Sequence, residues 1–413
     1  MNRQQSIDIL RDVIQIKSEN GSEREVARYY ERLLKEHGIS SKRIDYSEGR
    51  CSLVAEISNG EGPTLAVSGH MDVVSAGDES LWTYPPFSGE IEDGMIWGRG
   101  ASDMKSGLSA LVIALIEVNE RRQFKGTLRL LATVGEEIGQ LGAKQLADQG
   151  YVDDVEAVLI GEPCDVGVAY AHKGSLNYKV VSKGILAHSS TPEIGENAVE
   201  HLLEAMSEIR ESVSREASKH TNDVLGKTFH NITVVKGGHQ VNSIPDYAEF
   251  EANARTIPEF DNEALMREVR AVVDRLNEKE GFDLTVEVTA DLAPVETDPD
   301  SRIVRTICEV ANRRETLSPA YLLNQMNDVL NGQLTGMLEG GDASFDVEKV
   351  GPMVISGTTD AAQFHEANRD LKLAVYGPGT PVLNHKVDER LPLSQYLDFI
   401  DAYRDIIERY LGD

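Results

Sequence analysis

Histidine and carboxylate side chains supply the chemistry this chain could perform, and they recur directly after short apolar runs that read as strands. The run ending at Val67 leads into Ser68-Gly69-His70-Met71-Asp72, and the run ending at Val134 leads into Gly135-Glu136-Glu137. The run ending at Ile160 leads into Gly161-Glu162-Pro163, and the one ending at Tyr376 is followed by Asn384-His385-Lys386. Open α/β sheets gather the carboxyl ends of their parallel strands along one crevice, where ligands bind. His70, Glu136, Glu137, Glu162 and His385 are thereby directed to one place. Asp103 lies in the stretch Gly98-Arg99-Gly100-Ala101-Ser102-Asp103-Met104-Lys105-Ser106-Gly107, where a Gly-rich loop meets a helix pattern. Such a set of imidazoles and carboxylates can hold a pair of zinc-type ions if one carboxylate is shared between them.

Each residue alone has an ordinary reading. Asp103 could cap the helix that follows it, because Asp accepts a backbone N–H well at that position. His70 could be a core histidine, Glu136-Glu137 a solvated pair, Glu162-Pro163 a turn and His385 a loop residue. The joint pattern is much harder to reach by chance. Asp72, two residues beyond His70, points to the same side of an extended segment and is expected to orient the imidazole by accepting its other N–H. Cys164 reads as a small buried filler, since thiolate is a soft ligand in an otherwise hard set.

The elements that must position these groups follow from periodicity. Helix patterns run from Ile7 to Ile16, Glu23 to His37 and Met104 to Arg122, among strand-like runs at 52–57, 64–68, 127–134 and 157–160. This alternation argues for an α/β layer with a mostly parallel sheet. From Asn177 the pattern becomes strand, helix, strand, strand, helix, strand, the last ending at Val288. That order is a split βαβ unit of the ferredoxin-like type. A helix near 301–314, a strand near 371–376 and a closing helix from Ser394 to Tyr410 resume the first texture. The expected arrangement is a discontinuous catalytic domain of residues 1–176 and 290–413 with an inserted α/β sandwich at 177–289.

Acidic residues outnumber basic ones by 69 to 41, a net charge of -28, so the surface field repels phosphate backbones and anionic bilayers. Nucleic-acid and membrane-surface partners are thus not expected. Three cysteines without CxxC spacing exclude a thiolate zinc ribbon and a disulfide framework, which fits a reducing cytoplasm. The N-terminal residues open directly into a helix pattern without an apolar signal-peptide core.

The segments His70-Met71-Asp72, Gly100 to Gly107, Gly135-Glu136-Glu137, Gly161-Glu162-Pro163 and Asn384-His385 resemble, in order, the signatures of the co-catalytic zinc amidohydrolases. That family includes succinyl-diaminopimelate desuccinylase, acetylornithine deacetylase, aminoacylase and carboxypeptidase G. The resemblance runs from the first helix to the last and includes the inserted sandwich.

It implies that Asp103 bridges two divalent ions, zinc first with cobalt or manganese as alternatives. His70 and Glu162 would complete one site, Glu137 and His385 the other, with Glu136 as general base. It implies hydrolysis of an N-acyl amino acid amide, with N-succinyl-LL-2,6-diaminopimelate the foremost substrate. N-acetylornithine, or a carboxypeptidase or dipeptidase activity, is the alternative, and a non-catalytic module on this fold would need a lost ligand, which is not found. His188 matches a lid histidine that enters the partner's site in a homodimer and donates to the oxyanion. Asn242, Arg255, Gly357 and Thr358 match positions that bind the substrate carboxylate. Two departures concern that pocket: Ala362 stands in Asp360-Ala361-Ala362 where desuccinylases carry arginine, and Lys173 stands where arginine is frequent. Glu162 rather than Asp at its position favours the desuccinylase, deacetylase and carboxypeptidase branches.

Overall fold

The computed structural model describes residues 1–329 and 348–412, which divide into two compact units. Unit one comprises Met1–Tyr170, Thr297–Val354 and Thr359–Asp413, and unit two Ala171–Glu296 and Ile355–Thr358. Their borders at 170/171 and 296/297 lie six and seven residues outside the expected 176/177 and 289/290, and the short 355–358 segment is added to the second unit.

The chain begins with α1 (Arg3–Gln15) and α2 (Glu23–Glu36), then β1 (Ser41–Ser47), β2 (Arg50–Asn59) and β3 (Thr64–His70). Two short strands follow, β4 (Glu90–Glu92) and β5 (Met95–Trp97), and then α3 (Lys105–Arg121), β6 (Gly126–Thr133), α4 (Leu141–Asp148), β7 (Val155–Ile160) and β8 (Cys164–His172). α3 is buried along nearly its whole length, so its apolar residues surround it instead of forming one stripe.

The second unit holds β9 (Ser175–Lys183), β10 (Ala187–His188), α5 (Ala198–Ala217), β11 (Phe229–Gly237), β12 (Ser243–Ile244), β13 (Tyr247–Arg255), α6 (Asn262–Asn277), β14 (Asp283–Leu292) and β15 (Val295–Glu296). β9, β11, β13 and β14 form an antiparallel sheet in the order β11-β13-β9-β14. Numbered within the unit, this is 2-3-1-4, the order of the split βαβ arrangement. α5 and α6 are amphipathic, and Leu202, Ala205, Ile209, Leu265, Val269 and Val273 are buried. Asn197 and Asp261 cap the two helices through their side chains.

Back in the first unit the chain forms α7 (Arg302–Ala311), α8 (Pro319–Val329), β16 (Pro352–Ile355), α9 (Ala361–Ala367), β17 (Lys372–Gly377), β18 (Arg390–Pro392) and α10 (Leu393–Gly412). The main sheet runs β1-β2-β6-β3-β7-β17-β8. Its centre, β6-β3-β7-β17, is parallel, while β1, β2 and β8 pair antiparallel around it. β1, α4 and β8 were not expected from the sequence. β8 carries Asp165 and Gly167 within an otherwise apolar run, which masks its strand character.

One close approach explains how the site elements meet. Gly107, in the first turn of α3, lies so near the end of β7 that a Cβ there would sit 1.9 Å from the Gly161 carbonyl oxygen. A Cβ at Gly377 would sit 2.3 Å from the same atom. Only glycine lets the start of α3 and the ends of β7 and β17 converge here.

Candidate metal centre

All four parallel strands end at the same edge, and each ends in or leads to a candidate residue. His70 closes β3, Glu136 and Glu137 follow β6, Glu162 follows β7, and His385 lies in the loop after β17. The backbone ladder continues past the strand ends, with Met71 N–H donating to Thr133 O and Gly161 N–H to Ser68 O. These bonds fix the turns that carry the side chains.

His70 is buried, and its Nδ1–H donates to the backbone carbonyl of Asp72 at 2.9 Å. Its Nε2 faces Asp103 Oδ1 at 3.2 Å and Glu162 Oε1 at 3.5 Å. This corrects the expected role of the Asp72 carboxylate, whose Oδ1 is 3.7 Å from Nδ1. That carboxylate instead accepts the backbone N–H groups of Glu136 at 3.1 Å and Glu137 at 3.2 Å. Asp72 thus orients the imidazole through its carbonyl and the Glu136-Glu137 turn through its side chain. Gly135, at φ 68°, allows the sharp turn out of β6 that presents both glutamates.

Asp103 does not cap α3: the cap position is Met104, and no side chain bonds there. Its two oxygens divide between the two histidines, Oδ1 to His70 and Oδ2 to His385 Nε2 at 3.4 Å. His385 Nε2 also lies 3.1 Å from the Glu137 carboxylate. Ligand atoms of His70, Asp103 and Glu137 lie within 4.8 Å of one another, as do those of His70, Glu136 and Glu162.

The titration of these groups reflects burial and crowding of charge. Burial pushes Glu136 well above the usual carboxylate range; the His70 charge opposes this, and Glu162, Asp360 and Glu137 add to it. Glu162 is raised in the same way, by burial first. Burial works against the charged His70 ring, yet Glu162, Asp103 and Asp72 raise it well above its ordinary value. His385 is pushed up to about 10 by its contacts with Asp103 and Glu137. The carboxylates raise both imidazoles, the imidazoles in turn hold Asp103 below the usual carboxylate range, and burial raises Glu136 and Glu162. Such a crowded set of carboxylates and imidazoles is a donor set suited to divalent cations.

Three further residues were not singled out from the sequence. Asp360 is buried, accepts the Thr133 hydroxyl at 2.5 Å, and is pushed up to about 6 by burial. Arg99 and Glu389 form a fully buried ion pair at 2.6 Å beside the Asp103 loop. A buried arginine in a Gly-rich loop requires an acidic partner, but nothing local says that the partner lies at position 389. Cys164 is buried, its thiol raised to about 12 by burial, which agrees with a filler.

The remaining candidates belong to the second unit. His188 and Asn242 lie on adjoining chain segments: His188 pairs with Ser243 across β10 and β12, and Ser189 N–H donates to Asn242 O. His188 Nδ1 accepts the Ser190 N–H at 3.1 Å, so the neutral ring carries its hydrogen on Nε2. Arg255, half-buried, ends β13 opposite Phe229, and the Lys173 ammonium sits 3.9 Å over the Phe229 ring. Gly357 is exposed and Thr358 half-buried. In the first unit, Ala362 is buried within α9.

Residues 66–409 match peptidase family M20/M25/M40. The chain belongs to this family. It is accordingly a hydrolase, a metal-dependent amidohydrolase, and among the described residues no helix is long and apolar enough to cross a membrane. Within the family it is 36% identical over 436 aligned residues to a probable succinyl-diaminopimelate desuccinylase of Staphylococcus aureus (strain N315), covering 100% of this chain and 99% of that one. It is 27% identical to a succinyl-diaminopimelate desuccinylase of Paracoccus denitrificans (strain Pd 1222), covering 91% and 90%. Its fold matches the M20 family metallo-carboxypeptidase Sso-CP2 of Sulfolobus solfataricus with TM-score 0.76 at 18% identity, over 99% of both chains.

Proposed function

We propose that the chain hydrolyses the amide of N-succinyl-LL-2,6-diaminopimelate to LL-2,6-diaminopimelate and succinate, a step of lysine and cell-wall biosynthesis in the cytoplasm. The observation that carries this reading is full-length similarity at 36% identity to a relative named for that activity. The complete set of His70, Asp103, Glu136, Glu137, Glu162 and His385 at one sheet edge supports it.

Two divalent ions, zinc foremost, would be held with Asp103 shared, His70 and Glu162 on one side, and Glu137 and His385 on the other. When bound they supply a polarised amide carbonyl and a lowered pKa for water. Glu136 then takes the proton of the attacking water and hands it to the leaving amine. Asp72 holds the Glu136-Glu137 turn so that the base and its neighbour keep distinct tasks. His188, with its hydrogen on Nε2, donates to the developing oxyanion. Arg255, with Asn242, Gly357 and Thr358, receives the substrate carboxylate, for which a planar guanidinium is suited.

The active form proposed is a homodimer through the second unit. β11 is an edge strand whose Phe229 and Val235 are exposed, as is Leu203 on α5. Such an edge favours pairing with a second copy. Lys173 and Ala362 withdraw planar charge from carboxylate recognition, so the substrate range is broader than in arginine-bearing desuccinylases. A panel of N-succinyl, N-acetyl and dipeptide substrates assayed with defined metals tests the reading. Succinyl-diaminopimelate should be turned over; brisk cleavage of N-acetylornithine or a dipeptide with no action on it would overturn the proposal.

A further inference from the structure

We infer that Glu389, with Arg99, is a positioning residue that sets Asp103 and His385 relative to each other and so governs the second of the two proposed ion positions. The inference rests on the two-ion reading above. Glu389 Oε1 accepts three backbone N–H groups of the Gly-rich loop: Gly100 at 3.1 Å, Ser102 at 2.8 Å and Asp103 itself at 2.9 Å. Its other oxygen takes the Arg99 guanidinium at 2.6 Å. The side chain is fully buried, and every one of these bonds reaches back across almost 290 residues of sequence.

Arg99 completes the clamp from the other side. It donates to Lys386 O at 3.2 Å, the residue after His385, and to Ser75 O at 3.3 Å, and its guanidinium lies 5.1 Å over the Trp82 ring. The backbone repeats the connection. β5 runs straight into the Asp103 loop, β18 leaves straight from Glu389, and the two strands pair with Arg390 opposite Trp97. Gly98 N–H then donates to Glu389 O, extending that ladder into the loop. One carboxylate therefore joins the loop that carries Asp103 to the loop that carries His385.

The two proposed ion positions differ in this respect. His70 closes a central strand and Glu162 follows another, so sheet bonding holds them. Glu137 hangs from Asp72, but His385 and the Asp103 backbone hang from the Arg99–Glu389 pair. Loss of the pair should loosen the Asp103–Glu137–His385 side first. Partners of this kind change metal affinity by about 10- to 100-fold when removed.

The test is a Co2+ titration of metal-free protein followed by visible absorption, on the parent, Glu389→Gln and Arg99→Lys, with thermal unfolding of each. Gln keeps the shape but offers Arg99 an amide; Lys keeps the charge but lacks the fork. The parent should bind two equivalents. Glu389→Gln should bind the first within about threefold of the parent and the second about 10- to 100-fold more weakly, with Arg99→Lys shifted in the same direction. Unchanged binding of both equivalents in a folded variant overturns the inference, as does equal weakening of both. A parent that binds a single equivalent overturns the two-ion reading and this inference with it. Should Glu389→Gln not fold, Arg99→Lys decides by the same criteria.

Discussion

His70 and His188 show how differently the two units treat the same side chain. His70 is 1% exposed, ends a central strand, and has Nδ1 fixed by a carbonyl and Nε2 faced by two carboxylates. His188 is exposed, sits on a two-residue ladder, and has Nδ1 held by its own neighbour Ser190. The contrast extends to the surrounding groups. Asp72, Asp103 and Glu162 in the first unit are bound into one buried network, whereas Asn242 and Gly357 in the second are exposed. Burial fixes geometry and shifts pKa values, which suits chemistry; exposure leaves a side chain able to meet a ligand or a second copy, which suits recognition.

The sharpest way to test this contrast is to remove the base without disturbing the ligands. Glu136→Gln should lower turnover about 10²- to 10⁴-fold while metal analysis still finds the parent's metal content. Near-parent turnover, or loss of metal, would move Glu136 out of the role given to it.

His188→Ala should cost about 10²- to 10³-fold in kcat with metal content unchanged, because an oxyanion donor acts on the transition state. Mixing it with Glu136→Gln should restore part of the activity, since some mixed dimers regain one intact site. If subunits exchange and no activity returns, His188 does not act across a dimer.

Arg255→Ala should raise KM and lower kcat/KM by about 2 kcal/mol, roughly 30-fold, if it receives a substrate carboxylate. A steady-state comparison of substrates with and without the second carboxylate checks this; an equal effect on both would assign Arg255 to the shared α-carboxylate.

The last effect concerns stability. Asp360 is pushed up to about 6 by burial, and Glu136 and Glu162 are raised too, so folding without cations favours their protonated forms relative to the unfolded chain. Their contribution is complete below the unfolded carboxylate range near ~4 and is lost as pH rises through about 6 and beyond. Chelator-treated protein should therefore lose on the order of 1 to 3 kcal/mol between about pH 5 and pH 7.5, and added divalent ions should remove most of that slope. Denaturant unfolding at each pH measures it, and a flat profile without cations would contradict the crowded-acid picture.

Much of this molecule was legible in order along the chain. Apolar runs broken by glycine marked β3, β6 and β7, and the polar residues after them were the ones the sheet gathers. The two-period alternation and helix spacing between 177 and 288 likewise gave the split βαβ order. Local pattern is enough there, because a parallel sheet forces its strand ends to one edge whatever the loops do.

Other features depended on contacts that no local pattern encodes. The carbonyl and the carboxylate of Asp72 lie 2.9 Å and 3.7 Å from His70 Nδ1, a difference that residue spacing cannot resolve. Asp360 is tied to the acids by the hydroxyl of Thr133 at the end of β6, a contact across 227 residues of sequence. Glu389 meets Asp103 only because β5 and β18 pair. The sequence by itself determined which residues could bind cations and the order of elements that brings them near, since residue type and periodicity are local properties. Tertiary structure alone decided which carboxylate faces an imidazole, which holds a backbone turn and which is buried unseen, because those outcomes are set by hydrogen bonds between segments 33 to 290 residues apart.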